Sequence, residues 1–259
     1  MATTQITLND VLKNRTSTYQ MLTRLYMSEV DEEYLDKLRT MHFPKNTGNA
    51  HVDEGYRLIR EFLNQADVNA VDILAADYVR AFLGSGVSGF SAAYPFESVY
   101  TSPKRLMMQD ARDEMLALYR AAGLGKADSW KESEDHIAVQ LEYMTILGTR
   151  ISEKYDAGDE DGAIELLFSQ KNFLEDHLLA WFPMMAKDME KFPKTDFYRG
   201  LGKLTLGFLE NDKEFLDDIL AGVDYEDESA AARAKALGEK VQDDAESDEQ
   251  IQGDEEKKE

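Results

Sequence analysis

IAVQLEYMTILGTRISEKY, residues 137–155, is the stretch on which the fold turns. Ile137, Leu141, Met144, Leu147 or Gly148, Ile151 and Tyr155 recur every three or four positions, the period of one helical face. The spacing predicts a helix that begins near Ser133-Glu134-Asp135 and ends at Asp156-Ala157-Gly158. Upstream, Ser102-Pro103 reads as an N-cap followed by proline at the first helical position, predicting a helix to about Ala122 that stops at Gly123.

The same period continues in both directions. Thr7-Leu8-Asn9-Asp10 caps a helix over about 8–29, and Asp31-Glu32-Glu33 opens a shorter one to Met41. Helices follow over about 53–65 and 70–83. Beyond residue 156, helices are predicted over 160–181, between Pro183 and Pro193, and over 195–220. No stretch alternates with the period of a strand. The expected fold class is therefore all-α, a single globular bundle of about nine to ten helices over 1–222, with a hinge near 124–132. From 223 to 259 there are 14 acids, five bases and one aromatic residue, Tyr225. That segment cannot bury enough apolar area to offset its chain entropy and is read as a disordered acidic tail.

Composition narrows the function. With 43% hydrophobic residues the chain of 259 can bury a substantial core, so it is not disordered throughout. Its net charge of −22 repels phosphate backbones and anionic lipid, arguing against nucleic acid and membrane surfaces and for basic peptides or cations. It has no cysteine, which excludes disulfides, thiolate catalysis and iron–sulfur ligation by this chain. No apolar stretch approaches membrane-spanning length and Met1–Gln5 lacks a signal layout, so the expected location is the cytoplasm. The Asn14-Arg15-Thr16 sequon then carries no meaning.

One stretch departs from the charged background. Residues Ala81–Phe96, between Arg80 and Glu97, carry no charge and are rich in Gly and Ser. Such a loop is either buried or reserved for an apolar partner. It contains Gly84-x-Gly86-x-x-Gly89, but a helix precedes this motif and none opens after it. A dinucleotide fingerprint needs the reverse, and a Gly84 C-cap followed by a linker explains the same residues.

His136 and His177 each follow an acid pair, yet no His-Glu-x-x-His or repeated Glu-x-x-His is present. A helix-terminal histidine satisfied by a carboxylate is the commoner arrangement. Neither a nucleophile elbow nor a P-loop occurs. No catalytic residue, metal or cofactor is assigned.

Asp77-Tyr78-Val79-Arg80-Ala81-Phe82-Leu83-Gly84 is followed ten residues on by Tyr94-Pro95-Phe96-Glu97-Ser98-Val99-Tyr100. Then come Glu132-Ser133-Glu134-Asp135-His136, Gln140-Leu141-Glu142-Tyr143-Met144, and Phe173-Leu174-Glu175-Asp176-His177-Leu178-Leu179-Ala180-Trp181. In this order the set resembles the TorD/DmsD/NarJ-like chaperones of molybdenum-containing reductases, over roughly residues 8–220.

The resemblance implies an all-helical chaperone and no enzyme. Its partner would be the catalytic subunit of a molybdopterin oxidoreductase, whose twin-arginine signal peptide or N-terminal segment it holds until cofactor insertion. It further implies a peptide-binding set of Tyr78, Phe82, Pro95, Phe96, Ser98, Tyr100, Glu132, Glu134, Asp135 and His136. Where several members carry tryptophan near these positions this chain has Tyr or Phe, and the acidic tail lies outside the common pattern. A twin-arginine peptide pairs guanidinium with hydrocarbon, so carboxylates beside an aromatic groove fit it. Plain capping of a helix N-terminus also explains the acids, and core packing the aromatics. A generic helical adaptor for an amphipathic peptide and a helical metal-dependent enzyme remain the alternatives. Either a monomer or a domain-swapped homodimer is compatible with the sequence.

Overall fold

The computed structural model describes residues 7–84, 91–127 and 130–223. Among them ten α-helices run in the order α1 (Leu8–Met27), α2 (Glu32–Thr40), α3 (Ala50–Gln65), α4 (Ala70–Tyr78), α5 (Glu97–Thr101), α6 (Asp110–Ala121), α7 (Ile137–Asp156), α8 (Glu160–Phe173), α9 (Leu179–Lys191) and α10 (Asp196–Ile219). Five-residue π turns extend α4 over Val79–Leu83 and join α8 to α9 over Leu174–Leu178. No described segment forms a strand, and the fold is all-α as the periodicity requires. Residues 1–221 make one compact unit. Of the second, Gly222–Glu259, only Gly222 and Val223 are described, so the acidic tail lies outside the described residues. So do Gly86, Gly89 and Phe90 of the charge-free run, and residues 128–129 of the expected hinge.

Helix α7 is more deeply buried than a single stripe predicts. Ala138, Val139, Gln140, Tyr143 and Ser152 are covered along with the expected face, so it is wrapped nearly all round. It packs on α1 and α8, while α3 lies along α10. The predicted stripe overreaches only at Tyr155, which is exposed near the helix end.

Several boundaries follow local chemistry. Thr7 and Asp10 form a reciprocal capping box on α1, Asp31 caps α2, and Thr195 caps α10. Helix α3 starts at Ala50 rather than 53 because the Asn49 side chain accepts from His51 N and Val52 N. Gly84, at φ 69°, ends the first π turn as the predicted C-cap.

Two boundaries differ from expectation. Ser102-Pro103 does not start a helix: Ser102 closes α5, its N–H donating to Ser98 O at 3.0 Å, and its Oγ accepts from Leu106 N at 3.0 Å. The next helix begins only at Asp110. Pro183 does not break the chain either, but sits inside α9. The π turn just before it, with Leu179 N donating to Leu174 O, is a widened turn of the kind that absorbs a missing donor.

Two interior features hold the bundle. Helices α3 and α10 cross at glycines, where a Cβ on Gly55 would stand 2.8 Å from Gly200 O. Further along α10, buried Arg15 of α1 forks onto Asp212, donates to Gln170 Oε1 of α8 at 2.6 Å, and shares Asp212 with the Tyr19 hydroxyl. The arginine of the formal glycosylation sequon is thus a core strut.

Candidate functional site

The residues singled out by the resemblance come together mainly as a clasp between two irregular segments. Phe96 and His136 form an isolated antiparallel bridge, Ile137 N donates to Pro95 O at 2.9 Å, and Glu97 N donates to Asp135 O at 3.1 Å. Fully buried Asp135 accepts from both Ser98 N, at 2.9 Å, and Ser98 Oγ. It therefore caps α5, 37 residues away in sequence, rather than the helix it precedes. Its other oxygen, Oδ1, is buried without a hydrogen-bond partner. Ser98 Oγ also accepts from Gln109 N at 3.2 Å, mooring the loop that follows α5.

That loop exposes the largest run of apolar side chains described: Leu106, Met107 and Met108 are 50%, 40% and 62% exposed. Arg105 and Met108 both have positive φ, an uncommon backbone state for non-glycine residues, here fixed by hydrogen bonds from Arg105 N to Ser102 O and from Gln109 Nε2 to Met107 O.

The acids expected at the start of a helix have separate fates. His136, not an acid, is the N-cap of α7, its Nδ1 accepting from Ala138 N at 3.0 Å. Burial between Phe96 and Trp130 pushes its pKa down to about 3, so it is neutral over the physiological range. Glu134 is buried and paired with Arg112 at 2.8 Å and Lys126 at 3.1 Å. Burial raises its pKa, and Lys126 and Arg112 overcome that, leaving it below the usual carboxylate value. Glu132 alone is exposed, and among the described residues its carboxylate has no ion-pair or hydrogen-bond partner.

The aromatic members are buried. Phe82 packs edge-on to Tyr26, Tyr78 and Tyr198, and Tyr100 stacks on Trp181 with ring centroids 5.5 Å apart. Tyr78 donates to Tyr26 O at 2.9 Å. Burial raises its pKa to about 12, helped by the negative charges of Glu29 and Glu132. Glu29 is an exposed acid just past α1 that no motif marked. Asp77, the acid preceding Tyr78, fastens the approach to α10 by accepting from Lys194 N, Thr195 N and Thr195 Oγ, the last two belonging to that helix's N-cap residue.

A buried polar chain was also missed. His177 Nδ1 lies 3.2 Å from Glu97 Oε2, Gln140 Nε2 donates to the same carboxylate, and Trp181 Nε1 donates to Gln140 Oε1 at 3.0 Å. The acid pair before His177 serves elsewhere, Glu175 pairing with Lys171 and Lys213. Among the described residues no group of three or more His, Cys, Asp and Glu side chains could hold a metal. No described helix is long and apolar enough to cross a membrane.

Comparison with known proteins places this clasp in a lineage. The sequence profile described as "Nitrate reductase delta subunit" matches residues 48–187, more than half of the chain. The chain belongs to the nitrate reductase delta subunit family. Among its relatives, Chaperone protein TorD of Vibrio cholerae is 26% identical over 215 residues, covering 80% of this chain and 94% of that protein. Chaperone protein TorD of Vibrio parahaemolyticus is 25% identical over 210 residues, covering 79% and 95%. A crystal structure of an Archaeoglobus fulgidus protein, proposed to be a redox enzyme maturation protein, aligns over 84% of this chain and 98% of that one. The two share 22% sequence identity at a TM-score of 0.41. The family match contains the whole clasp, from Tyr78 to His136, and leaves out α1 with Glu29 and α10 with Tyr198.

Proposed function

We propose that this chain is a cytoplasmic chaperone for the catalytic subunit of a molybdopterin oxidoreductase, holding its twin-arginine leader or N-terminal segment until cofactor insertion is complete. It works by binding and carries out no reaction. The near end-to-end match to proteins named chaperones supports the class of function. The observation that carries the leader reading is Glu132: an exposed carboxylate, unpaired among the described residues, whose charge acts on the buried Tyr78 phenol. A guanidinium needs a carboxylate and tolerates a ring face, and the overall charge of −22 draws a cationic segment in. Leu106, Met107 and Met108 offer the leader's apolar run an adaptable surface.

In this reading Ser98, Asp135 and His136 act indirectly, fixing the loops that carry Glu132 and the methionines. Calorimetric titration of the full chain with a synthetic leader peptide tests the proposal. The arginine-pair peptide binds, and its Lys-Lys version binds more weakly because an ammonium cannot make the bidentate contact. Equal affinity for both favours a generic adaptor, and no binding of either removes the leader from the account.

A further inference from the structure

The chain has no cysteine, so methionine is its only sulfur. A two-electron oxidant such as a peroxide therefore meets no thiolate first, and the thioethers that face solvent become its softest targets. Among the described methionines, Met115, Met144, Met185 and Met189 are fully buried. Met107, Met108 and Met184 are 40%, 62% and 38% exposed. Two of these three are neighbours in the loop between α5 and α6, beside exposed Leu106.

Hydrogen bonds at both ends hold that loop in shape. At its start Ser102 O accepts from Arg105 N at 3.1 Å, and Ser102 Oγ accepts from Leu106 N at 3.0 Å. At its end Gln109 N donates to Ser98 Oγ at 3.2 Å, and Gln109 Nε2 donates to Met107 O at 2.9 Å. Between these ties Met108 stands at φ 59°, a state that glycine adopts with less strain. Neither Met107 nor Met108 joins the hydrophobic core. The loop thus carries two thioethers into solvent at a site where packing does not call for them.

Oxygen transfer to a thioether needs only the peroxide. A sulfur lone pair attacks one peroxide oxygen, an S–O bond forms as the O–O bond breaks, and the other oxygen leaves as water. Sulfur loses two electrons and the peroxide gains them. The sulfoxide is polar where the thioether was apolar, and methionine sulfoxide reductases reverse the change. Because the core methionines are shielded, the fold outlasts the reaction.

We infer that Met107 and Met108 form a reversible oxidation site, at which peroxide converts the chain's apolar docking surface into a polar one and loosens its hold on the client. The inference rests on the leader-binding reading and goes beyond it by giving that surface a chemical regulator.

The test treats the folded full chain with dilute hydrogen peroxide, maps sulfoxides by peptide mass spectrometry, and titrates a methionine-free synthetic leader peptide by calorimetry. Met107, Met108 and Met184 are oxidised while Met115, Met144, Met185 and Met189 stay reduced, and the melting temperature holds. The dissociation constant for the leader rises roughly tenfold and returns after treatment with methionine sulfoxide reductases, the range expected when part of an apolar contact is lost. In a Met107→Leu/Met108→Leu variant, compared with its own untreated form, peroxide leaves the affinity unchanged although Met184 is still oxidised. Met107 and Met108 remaining reduced, wild-type affinity unchanged after their oxidation, or an equal loss in the double variant overturns the assignment. An untreated chain that binds no leader removes the leader reading instead, and the fluorescence of a bound naphthalene-sulfonate dye then decides: a peroxide-induced drop in the wild type but not in the double variant keeps the oxidation site, and no difference between them overturns it.

Discussion

Replacing Asp135 separates a structural role from a contact role. Its carboxylate is fully buried and accepts two hydrogen bonds from Ser98, one from the backbone N–H that opens α5. Hydrogen bonds to a charged group contribute about 1.5–3 kcal/mol each, and loss of a helix cap costs about 0.5–2 kcal/mol. Asp135→Ala removes both bonds and leaves Ser98 N unpaired in the interior, so a loss of about 2–4 kcal/mol is expected. For a folded unit of this size each kcal/mol moves the melting temperature by about 2–4 °C, which gives a drop of about 5–15 °C. Asp135→Asn, which keeps one acceptor, falls between Ala and wild type. Circular dichroism melts and urea titration of the full chain read both effects. Proteolysis reads a second consequence, faster cleavage in the loop over 102–109, because Ser98 also moors Gln109. An Asp135→Ala variant that melts within about 1 °C of wild type would refute the clasp reasoning.

Other perturbations bear on the same framework. His136 is neutral in the fold, with a pKa of about 3 against about 6.5 when unfolded, so the unfolded chain binds the extra proton between those values. Stability from this group is complete above pH 6.5 and falls by about 2 kcal/mol at pH 5. His136→Asn, which keeps a capping acceptor, flattens that slope in urea titrations at pH 7 and 5; an unchanged slope assigns it elsewhere. Gly55→Ala forces a methyl against Gly200 O and lowers unfolding stability by about 1–3 kcal/mol, whereas a neutral result means that α3 and α10 slide apart freely. Arg15→Met leaves Asp212 buried without its cation and costs about 3–5 kcal/mol, while adding Asp212→Leu restores much of the loss. A double variant as unstable as the single contradicts that electrostatic account.

Where a helix is capped by its own neighbours, the sequence is readable. Thr7 with Asp10, Asp31 and Thr195 act within three residues, and the helices they open begin where the pattern places them. Remote caps are invisible to the same reasoning. Asp135 and Asp77 look like residues of their own segments, but Asp135 caps a helix whose first turn lies 37 residues away and Asp77 holds the N-cap residue of another 118 residues away, pairings only the folded chain creates. The two boundary errors have separate origins: Ser102 closes α5, which the remote Asp135 caps, while α9 runs through Pro183 after a local π turn. Within the candidate site, the ordered motifs name segments that the fold packs together, without separating surface from interior. Glu132, Glu134 and Asp135 are near neighbours in sequence, yet one is exposed, one ion-paired and one a buried cap. Tyr78 had no signal for its tertiary role either, since only the fold brings its hydroxyl onto Tyr26 O at the end of α1.

Hydrogen–deuterium exchange of the full chain, with and without saturating leader peptide, tests most directly where the client is held. The account predicts slowed exchange in the segment from Trp130 to Glu134, with a smaller effect in the loop carrying Leu106 to Met108. Protection confined to α3 and α10 around Asn49 and Gly207, with those segments unchanged, would contradict it.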